Sequence, residues 1–429
     1  MYFFYNLILI LGVLLSWPYW LGLILFTPKY RANFTQRLGY YPLELVHKLQ
    51  GKKPIWLHAV SVGETMAALL IVKQLKAQHP EVPILISTVT VTGNQIAQQN
   101  EKYFDGIIYF PLDFPWIVKK ALHLFQPRLV MIMETELWPN FLRECNKSKI
   151  PSILINGRLS DKSVHRYRKV KPFMTKVTSS VTYLLMQSNV DAERMLSIGA
   201  PQTQVQITGN IKFDITPPHL SNEELYQWRA IFGLNDTSIP VFVAGSTHPG
   251  EEEQILEAYK SILNLHSMTR LILVPRHPER ANEVEKIIQE YGFTSIRRSS
   301  LTSNSIENNP IILVDTVGEL MNIFMLANVA FIGGSLVSKG GHNVLEPVAL
   351  KKPVLFGPFM NNFRESAQLL LESGGGIQVQ NAQELAKEVT KLLKSNKESI
   401  RLGEKAASAV TANAGAVKRT LNTIYNHLN

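Results

Sequence analysis

Glutamates lie directly after two apolar runs in the first half of the chain, where a carboxylate could act as a general base. Glu64 follows the run Ile55–Val60 and stands in the first turn of the helix predicted next. Glu134 and Glu136 follow the run Leu129–Met133 in the same way. In an open parallel sheet, the carboxyl ends of the strands and the helix N-termini form a crevice that holds ligands. A glutamate there can take a hydroxyl proton, although capping the next helix is an equally good interpretation of each one.

Cations and a glycine-rich stretch occupy similar places further along the chain. Arg158 follows the run Ile153–Asn156 and is either a contact for an acidic acceptor or an ordinary surface residue. Arg276 comes just after Leu271–Pro275, and a guanidinium there is a good bidentate partner for phosphate. The segment Ala330–Glu346 predicts a strand, a turn and a helix start whose amides could approach an anion. Its glycines are Gly333, Gly334, Gly340 and Gly341.

Three further groups suit a nucleotide. Val317–Glu319 follows an apolar run and offers groups for a base or ribose, or simply begins a helix. Glu346 could accept hydrogen bonds from vicinal ribose hydroxyls, or be a surface acid. Ser246 and Thr247 could bond phosphate, and the acids Glu251–Glu253 that follow are best explained as helix-capping residues.

Histidines raise the question of a metal site. Four of them stand in predicted loops, but their spacing forms no metal-binding motif. There is also no H-E-x-x-H, paired C-x-x-C or Asp-x-Asp pattern, so no dedicated metal site is predicted. Phosphate charge would then be met by protein groups. The four residues are His58, His248, His277 and His342.

Short apolar runs alternate with helical patterns, which predicts α/β architecture with parallel sheets. A first series of such runs ends near Met186 and a second begins at Val241, so two Rossmann-like domains are expected. The prolines Pro217 and Pro218 deny helix and central strand, and mark the boundary. We expect a membrane anchor at 1–28, a first domain at 29–212 and a second at 213–429. The tail 384–429 is predicted to be amphipathic helix, with its last helix packing on the first domain.

Length and charge agree with this division. A chain of 429 residues with 45% hydrophobic composition can build two cores. Its formal charge of +10 suits an anionic partner such as nucleic acid, a phospholipid surface or a phosphorylated substrate. The single cysteine, Cys145, excludes a disulfide framework and fits a reducing compartment.

The N-terminal segment Tyr2–Phe26 is nearly all apolar and is long enough for the ~20 residues that cross a bilayer. Pro18 interrupts it, so a spanning helix and an interfacial helix both remain open. Lys29, Arg31 and Arg37 follow, and the positive-inside tendency places the rest of the chain in the cytoplasm.

Together these segments resemble the bacterial 3-deoxy-D-manno-octulosonic acid (Kdo) transferases, which are glycosyltransferases of GT-B architecture. The resemblance covers nearly the whole chain. It implies transfer of Kdo from CMP-Kdo to lipid IVA at the cytoplasmic face of the inner membrane, in lipopolysaccharide biosynthesis. The segments that carry it are His58–Thr65, Glu134–Asn140, Asn156–Ser160, Gly209–Asp214, Gly245–Glu253, Pro275–Arg280 and Gly333–Pro347.

The resemblance also implies roles for individual residues. Glu64 matches the proton acceptor, and Glu134 and Lys212 match positions used near the transition state. The family needs no metal and no cofactor, since CMP-Kdo is a substrate. The residues that match its CMP-binding segments are Pro275, Arg276, Val317, Gly318, Glu319, Asn343, Val344, Leu345 and Glu346.

Rival functions remain at this point. Another membrane-anchored sugar-nucleotide glycosyltransferase, a nucleotide-sugar epimerase and a non-catalytic membrane-tethered nucleotide-binding protein share parts of the pattern. Nucleic-acid binding is disfavoured, because no basic stripe interleaved with aromatic residues is present. Phospholipid of the inner membrane is the expected surface partner.

Overall fold

The computed structural model describes residues 1–26, 34–218, 220–301 and 309–427. The chain divides into two compact units, Met1–Asp214 with Ala414–Asn429, and Ile215–Asn413. The predicted boundary between 212 and 213 lies two residues before this division. Lys29 and Arg31, on which the expected orientation in the membrane depends, lie outside the described residues.

The first unit is built on a parallel sheet of seven described strands in the order β3-β2-β1-β4-β5-β6-β7. Its central strands are buried along their whole length, as continuous apolar runs require when helices cover both faces of a sheet. The strands are β1 (Ile55–His58), β2 (Ile84–Thr88), β3 (Gly106–Tyr109), β4 (Leu129–Met133), β5 (Ser152–Gly157), β6 (Tyr183–Met186) and β7 (Val205–Ile207).

Helices flank both faces of this sheet. The side chains of Trp56 and Phe141 belong to the core on one face, and Val72, Leu75 and Leu421 belong to the core on the other. The last helix of the chain therefore lies in the first unit. The helices are α1 (Tyr2–Phe26), α2 (Phe34–Arg37), α3 (Leu43–Leu49), α4 (Val62–Gln78), α5 (Val91–Gln99), α6 (Pro115–Phe125), α7 (Pro139–Lys147), α8 (Asp161–Lys169), α9 (Lys171–Thr178), α10 (Asn189–Ser197) and, from the C-terminal segment, α19 (Ala416–Tyr425).

The second unit repeats the plan, with seven described parallel strands in the order β10-β11-β9-β8-β12-β13-β14. Its strands are β8 (Val241–Thr247), β9 (Arg270–Pro275), β10 (Ser295–Arg297), β11 (Ile311–Leu313), β12 (Val329–Ile332), β13 (Val354–Phe356) and β14 (Gly376–Gln378). Its helices are α11 (Asn222–Ile231), α12 (Glu252–Leu263), α13 (Ala281–Glu290), α14 (Leu320–Leu326), α15 (Leu345–Ala349), α16 (Arg364–Glu372), α17 (Ala382–Lys394) and α18 (Asn396–Asn413).

These two sheets confirm the predicted α/β class with two Rossmann-like domains. Three edge strands, β7, β10 and β14, were not predicted from the sequence. Each is three residues long and every one of its residues is partly or fully exposed, so none forms the apolar run that reveals a buried strand.

Helix α1 is long and apolar enough to cross a membrane, by length and composition alone. Pro18 lies inside it without ending it. Near its beginning, the Tyr5 hydroxyl donates to an Asp113 carboxylate oxygen at 2.9 Å. The Asn140 amide donates to Asn6 Oδ1 at 2.7 Å. The start of the helix is thus held to the body of the first unit, while most of its other described side chains are exposed.

Candidate active site

Glu64 lies in the first turn of α4, immediately after β1. Its carboxylate accepts a hydrogen bond from the backbone N–H of Val60 at 2.8 Å and from the Ser61 hydroxyl at 3.0 Å. Ser61 in turn caps the helix by accepting from the Glu64 N–H. Ser61 is therefore the helix cap, and the Glu64 carboxylate supports it by accepting from Val60 and Ser61. An ionised carboxylate has about four acceptor positions, so two remain.

Glu64 is only 9% exposed. Burial raises the pKa of its carboxyl, and the nearby Glu134 carboxylate adds to the rise, while the Val60 N–H, the Ser61 hydroxyl and the Arg158 charge oppose it. A raised pKa makes a carboxylate a stronger base, which suits proton abstraction near neutral pH.

Glu134 follows β4 directly and has left-handed backbone geometry, with φ of +54°. Non-glycine residues in this region are uncommon and cluster at functional sites. The Arg158 Nε donates to Glu134 Oε2 at 2.9 Å, which fixes a buried carboxylate with a half-exposed guanidinium. Arg158 is therefore a partner of Glu134, and neither of the two roles foreseen for it from the sequence describes this contact.

Glu136 joins the same group, although the sequence did not single it out from Glu134. Burial raises the pKa of its carboxyl to about 7, and the charges of Glu64 and Glu134 add to the rise. Three carboxylates and one guanidinium thus lie within electrostatic reach of one another. The signal available in the sequence was the i, i+2 spacing of Glu134 and Glu136 after a strand.

Lys212 lies in a short 3₁₀ turn, Ile211–Phe213, whose first amide is held by the end of β5. The Ile211 N–H donates to Asn156 Oδ1 at 3.0 Å, and Asn156 itself has a φ of +54°. The Lys212 side chain is half-buried and makes no ion pair within the described part of the chain. It is a free cation in the first unit.

In the second unit, two of the predicted CMP-binding segments come together. The Asn343 amide donates to Glu346 Oε1 at 3.2 Å. Burial raises the pKa of Glu346, while Asn343 and the Arg276 charge lower it, so Arg276 is near this carboxyl. Val344 and Leu345 are buried in the core, which leaves only their backbone for a ligand.

The segment Val317–Glu319 is not joined to Asn343–Glu346 by any hydrogen bond or ion pair among the described residues. Glu319 instead accepts from Arg298 at 2.9 Å and from the Thr316 hydroxyl. Val317 is 83% exposed and Gly318 has a φ of +87°, which makes this a projecting turn.

Most amides of the glycine-rich turn, where phosphate binding was predicted, already have partners within the protein. The N–H groups of Gly334, Ser335 and Leu336 donate to the carboxylate of Glu251, at 2.6, 3.0 and 2.9 Å. The Gly341 N–H donates to the Gly334 carbonyl. These amides are therefore unavailable to a phosphate, and the expectation for this part of the turn is wrong. Glu251, expected to act as a helix cap, instead holds the turn.

The Thr247 hydroxyl, which was expected to bond phosphate, is likewise engaged, because it donates to Glu252 at 3.0 Å.

Two of the four histidines are in contact: Nε2 of His248 and Nε2 of His342 are 2.8 Å apart. His277 lies beside them, with its ring 5.9 Å from that of His248. His58 is in the core of the first unit, stacked on Phe110.

No group of three or more His, Cys, Asp or Glu side chains suited to a metal ion occurs in the described ranges.

Two parallel Rossmann-like sheets, with carboxylates and cations at their strand ends, place the chain in the GT-B fold class. Solved structures share this fold over most of the chain. A glycosyltransferase from Rickettsia africae matches with a TM-score of 0.57 and 14% identity, covering 88% of this chain and 99% of that one. A UDP-GlcNAc 2-epimerase from Neisseria meningitidis matches with a TM-score of 0.55 and 14% identity, covering 87% and 100%. At such identities the likeness shows the fold alone.

Sequence relatives decide the family. The family model for 3-deoxy-D-manno-octulosonic-acid transferase (kdotransferase) matches residues 32–215. The 3-deoxy-D-manno-octulosonic acid transferase of Haemophilus influenzae is 36% identical over 405 residues, which cover 94% of this chain and 93% of that protein. The chain therefore belongs to the Kdo transferase family, which confirms the resemblance. It is a glycosyltransferase of lipopolysaccharide biosynthesis.

Proposed function

We propose that the protein moves Kdo from CMP-Kdo to lipid IVA with inversion at the anomeric carbon, and that Glu64 is the general base. The observation that supports this most directly is the setting of Glu64. Its buried carboxylate is fixed by Val60 and Ser61, at 2.8 and 3.0 Å, and its pKa is raised. A fixed base needs no reorganisation when the acceptor hydroxyl arrives.

On the acceptor side, Glu64 takes the hydroxyl proton as the oxygen attacks the anomeric carbon of Kdo. The C–O bond to the sugar forms as the bond to the CMP phosphate breaks. Glu134, which Arg158 holds at 2.9 Å, would stabilise the positive charge that develops on the sugar ring. Lys212, free of ion pairs among the described residues, is available to the negative charge that develops on the departing phosphate.

The second unit is proposed to bind CMP. Glu346 has one carboxylate oxygen engaged by Asn343, and the other can accept from ribose hydroxyls. Arg276 is exposed and close to Glu346, where its guanidinium can contact phosphate. Val317, Gly318 and Glu319 would contribute backbone groups of their projecting turn.

The long apolar helix α1 indicates that the protein is associated with a membrane. Its acceptor is proposed to lie in the inner membrane, facing the cytoplasm, so a basic protein attached to anionic phospholipid would meet the acceptor in one plane. No metal or cofactor is proposed, since the charges of Lys212 and Arg276 can meet the phosphate.

The test is a transfer assay with purified protein, CMP-Kdo and lipid IVA in the presence of EDTA. The proposal expects a product whose mass has grown by one or more Kdo units. A product formed only after metal is restored would contradict the metal-free proposal. No product with lipid IVA, together with transfer to another lipid-linked sugar, would favour a different membrane glycosyltransferase.

A further inference from the structure

One polar contact between loops of the second unit joins two imidazoles. Nε2 of His248 lies 2.8 Å from Nε2 of His342, and the ring planes are within 2° of parallel. At this distance, one nitrogen must carry a proton and donate it to the other. The two rings therefore share a proton and have opposite tautomers.

The edges of the two rings that carry Nδ1 are turned away from Gly334. A Cβ placed on Gly334 would lie 3.1 Å from Cδ2 of His342 and 3.2 Å from Cδ2 of His248. Since Cδ2 and Nδ1 lie on opposite sides of an imidazole, the Nδ1 atoms lie away from this glycine. Neither Nδ1 has a hydrogen-bond partner in the part of the chain that the structure describes.

The surroundings of the pair are cationic. Burial lowers the pKa of His248, and the neighbouring His277, Lys339, Arg276 and Arg280 lower it further. Three of these neighbours follow β9, and Lys339 comes from the glycine-rich turn. Burial together with Arg276, His248 and His277 lowers the pKa of His342 to about 4.

The acids near the pair are already engaged. Glu251 accepts from the glycine-rich turn, and from the His248 N–H at 3.3 Å. Glu252 is paired with Arg280 at 2.9 Å. The unliganded pair is thus neutral at pH 7. Arg280 and His277 have acidic partners, but Arg276 and Lys339 make no ion pair among the described residues, and these two charges repel a metal cation and attract an anion.

We propose that His248 and His342 bind an anionic group of the donor and take up a proton as they do so. Protonation turns the remaining Nδ1 acceptor into a donor, so that both rings then donate to the anion. Because Arg276 is close to both His342 and Glu346, the pair is continuous with the proposed CMP-binding segments. The proposal rests on the proposed function, and it adds a contact for the sugar carboxylate or the phosphate of CMP-Kdo.

Calorimetric titration of the protein with CMP-Kdo, in buffers of different ionisation enthalpy, measures this proton uptake. At pH 7, the unmodified protein should take up about one proton per CMP-Kdo bound, and its affinity should fall about tenfold per pH unit, or up to about 100-fold from pH 6 to pH 8. His248→Asn and His342→Asn should each remove the proton uptake and weaken binding about tenfold or more. His266→Asn, before β9 at the other end of the strands, is the matched control. Unchanged proton uptake in both variants would overturn the proposal.

Two further titrations identify the bound anion and distinguish a failure of this proposal from a failure of the proposed function. Proton uptake with both CMP and CMP-Kdo assigns the pair to phosphate, and uptake with CMP-Kdo alone assigns it to the sugar carboxylate. If the unmodified protein binds neither nucleotide, the proposed function fails. Titration with inorganic phosphate then tests the histidine pair. Loss of phosphate binding in His248→Asn and His342→Asn supports the anion site. Phosphate binding equal to that of the unmodified protein in both variants overturns it.

A second, independent observation concerns helix α1. Its start is bonded to the first unit through Tyr5 and Asn6. Soon after its end, the chain is again part of the same unit, since Gln36 Oε1 accepts from the Tyr109 N–H of β3 at 2.8 Å. The chain is therefore bonded to the first unit both at the start of α1 and shortly after its end.

These ties disfavour a helix that crosses the bilayer. In a spanning helix Phe26 would reach the far surface, and the chain would have to return to Phe34 in eight residues. Eight extended residues reach at most about 29 Å, whereas the hydrocarbon core is about 30 Å thick. The return would also take Lys29 and Arg31 and unpaired backbone groups through lipid. We infer that α1 lies in the plane of the membrane surface.

Cross-linking in the membrane tests this geometry. The Arg143 guanidinium lies 4.4 Å from the Tyr2 ring, so a Tyr2→Cys, Arg143→Cys variant should be joined by a short bis-maleimide. The inference expects equal yields in membrane-bound and detergent-solubilised protein. A cross-link in detergent that is absent from membrane-bound protein would overturn it. Phe3→Cys with Arg143→Cys is the control, because Phe3 is 73% exposed.

Discussion

The Ser61 hydroxyl donates to the carboxylate of Glu64 at 3.0 Å while its oxygen accepts from the backbone N–H of the same residue. One reciprocal contact thus begins helix α4 and orients the proposed base. Capping and catalysis are compatible here, because the cap fixes the carboxylate at the carboxyl end of β1.

Arg158 is predicted to act by positioning Glu134. Arg158→Ala should reduce transfer about tenfold or more, because loss of a charged hydrogen bond costs about 1.5–3 kcal/mol. Stability should change by less than about 1 kcal/mol, as for other partly exposed ion pairs. Initial transfer rates and thermal denaturation measure the two effects, and Arg168→Ala is a control in the same unit. Equal rates for the two variants would exclude the positioning role.

Glu136 is predicted to make stability depend on pH. Its carboxyl pKa rises from 4.5 to about 7 on folding, so between these values the folded state holds the extra proton. The free energy of unfolding must therefore fall as pH rises through this window. Glu136→Gln should be the more stable protein at pH 8, by up to about 2 kcal/mol, with little difference at pH 4.5. Thermal denaturation at the two pH values checks this, and a constant difference would contradict it.

Glu251 is predicted to hold the glycine-rich turn in place. In Glu251→Gln an amide NH₂ would face backbone N–H groups, so the second unit should lose about 2–4 kcal/mol of stability. Hydrogen exchange at Gly334, Ser335 and Leu336 should accelerate at the same time. Glu290→Gln, at an exposed position, should have neither effect. Unchanged exchange at the three amides would show that the turn does not depend on this carboxylate.

The buried strands were predictable because each is a continuous apolar run, as in Leu129–Met133. Glu64 and Glu134 were predictable as candidates because parallel strands present their carboxyl ends at one edge. Contacts between segments far apart in sequence could not be predicted. Nothing local to Glu251 indicates that its carboxylate binds amides 83 to 85 residues away. The pairing of His248 with His342 is hidden for the same reason.

Glu346 is predicted to bind the nucleotide. Glu346→Ala should weaken CMP binding about tenfold or more, because it removes a charged acceptor from ribose hydroxyls. Calorimetric titration with CMP measures the change. The matched control is Glu64→Ala, which alters the other unit and should bind CMP normally. Equal affinity in both variants would remove Glu346 from the nucleotide site.

The central claim is that Glu64 accepts the proton of the attacking hydroxyl. Glu64→Gln keeps the size of the side chain but cannot accept this proton, so transfer from CMP-Kdo to lipid IVA should fall by about 10²–10⁴-fold. CMP affinity and the thermal midpoint should stay close to those of the unmodified protein, which shows that the fold survives. The single-turnover rate of this variant is the decisive measurement. A rate lost while CMP binding persists is the predicted result, and a rate equal to that of the unmodified protein would contradict the account.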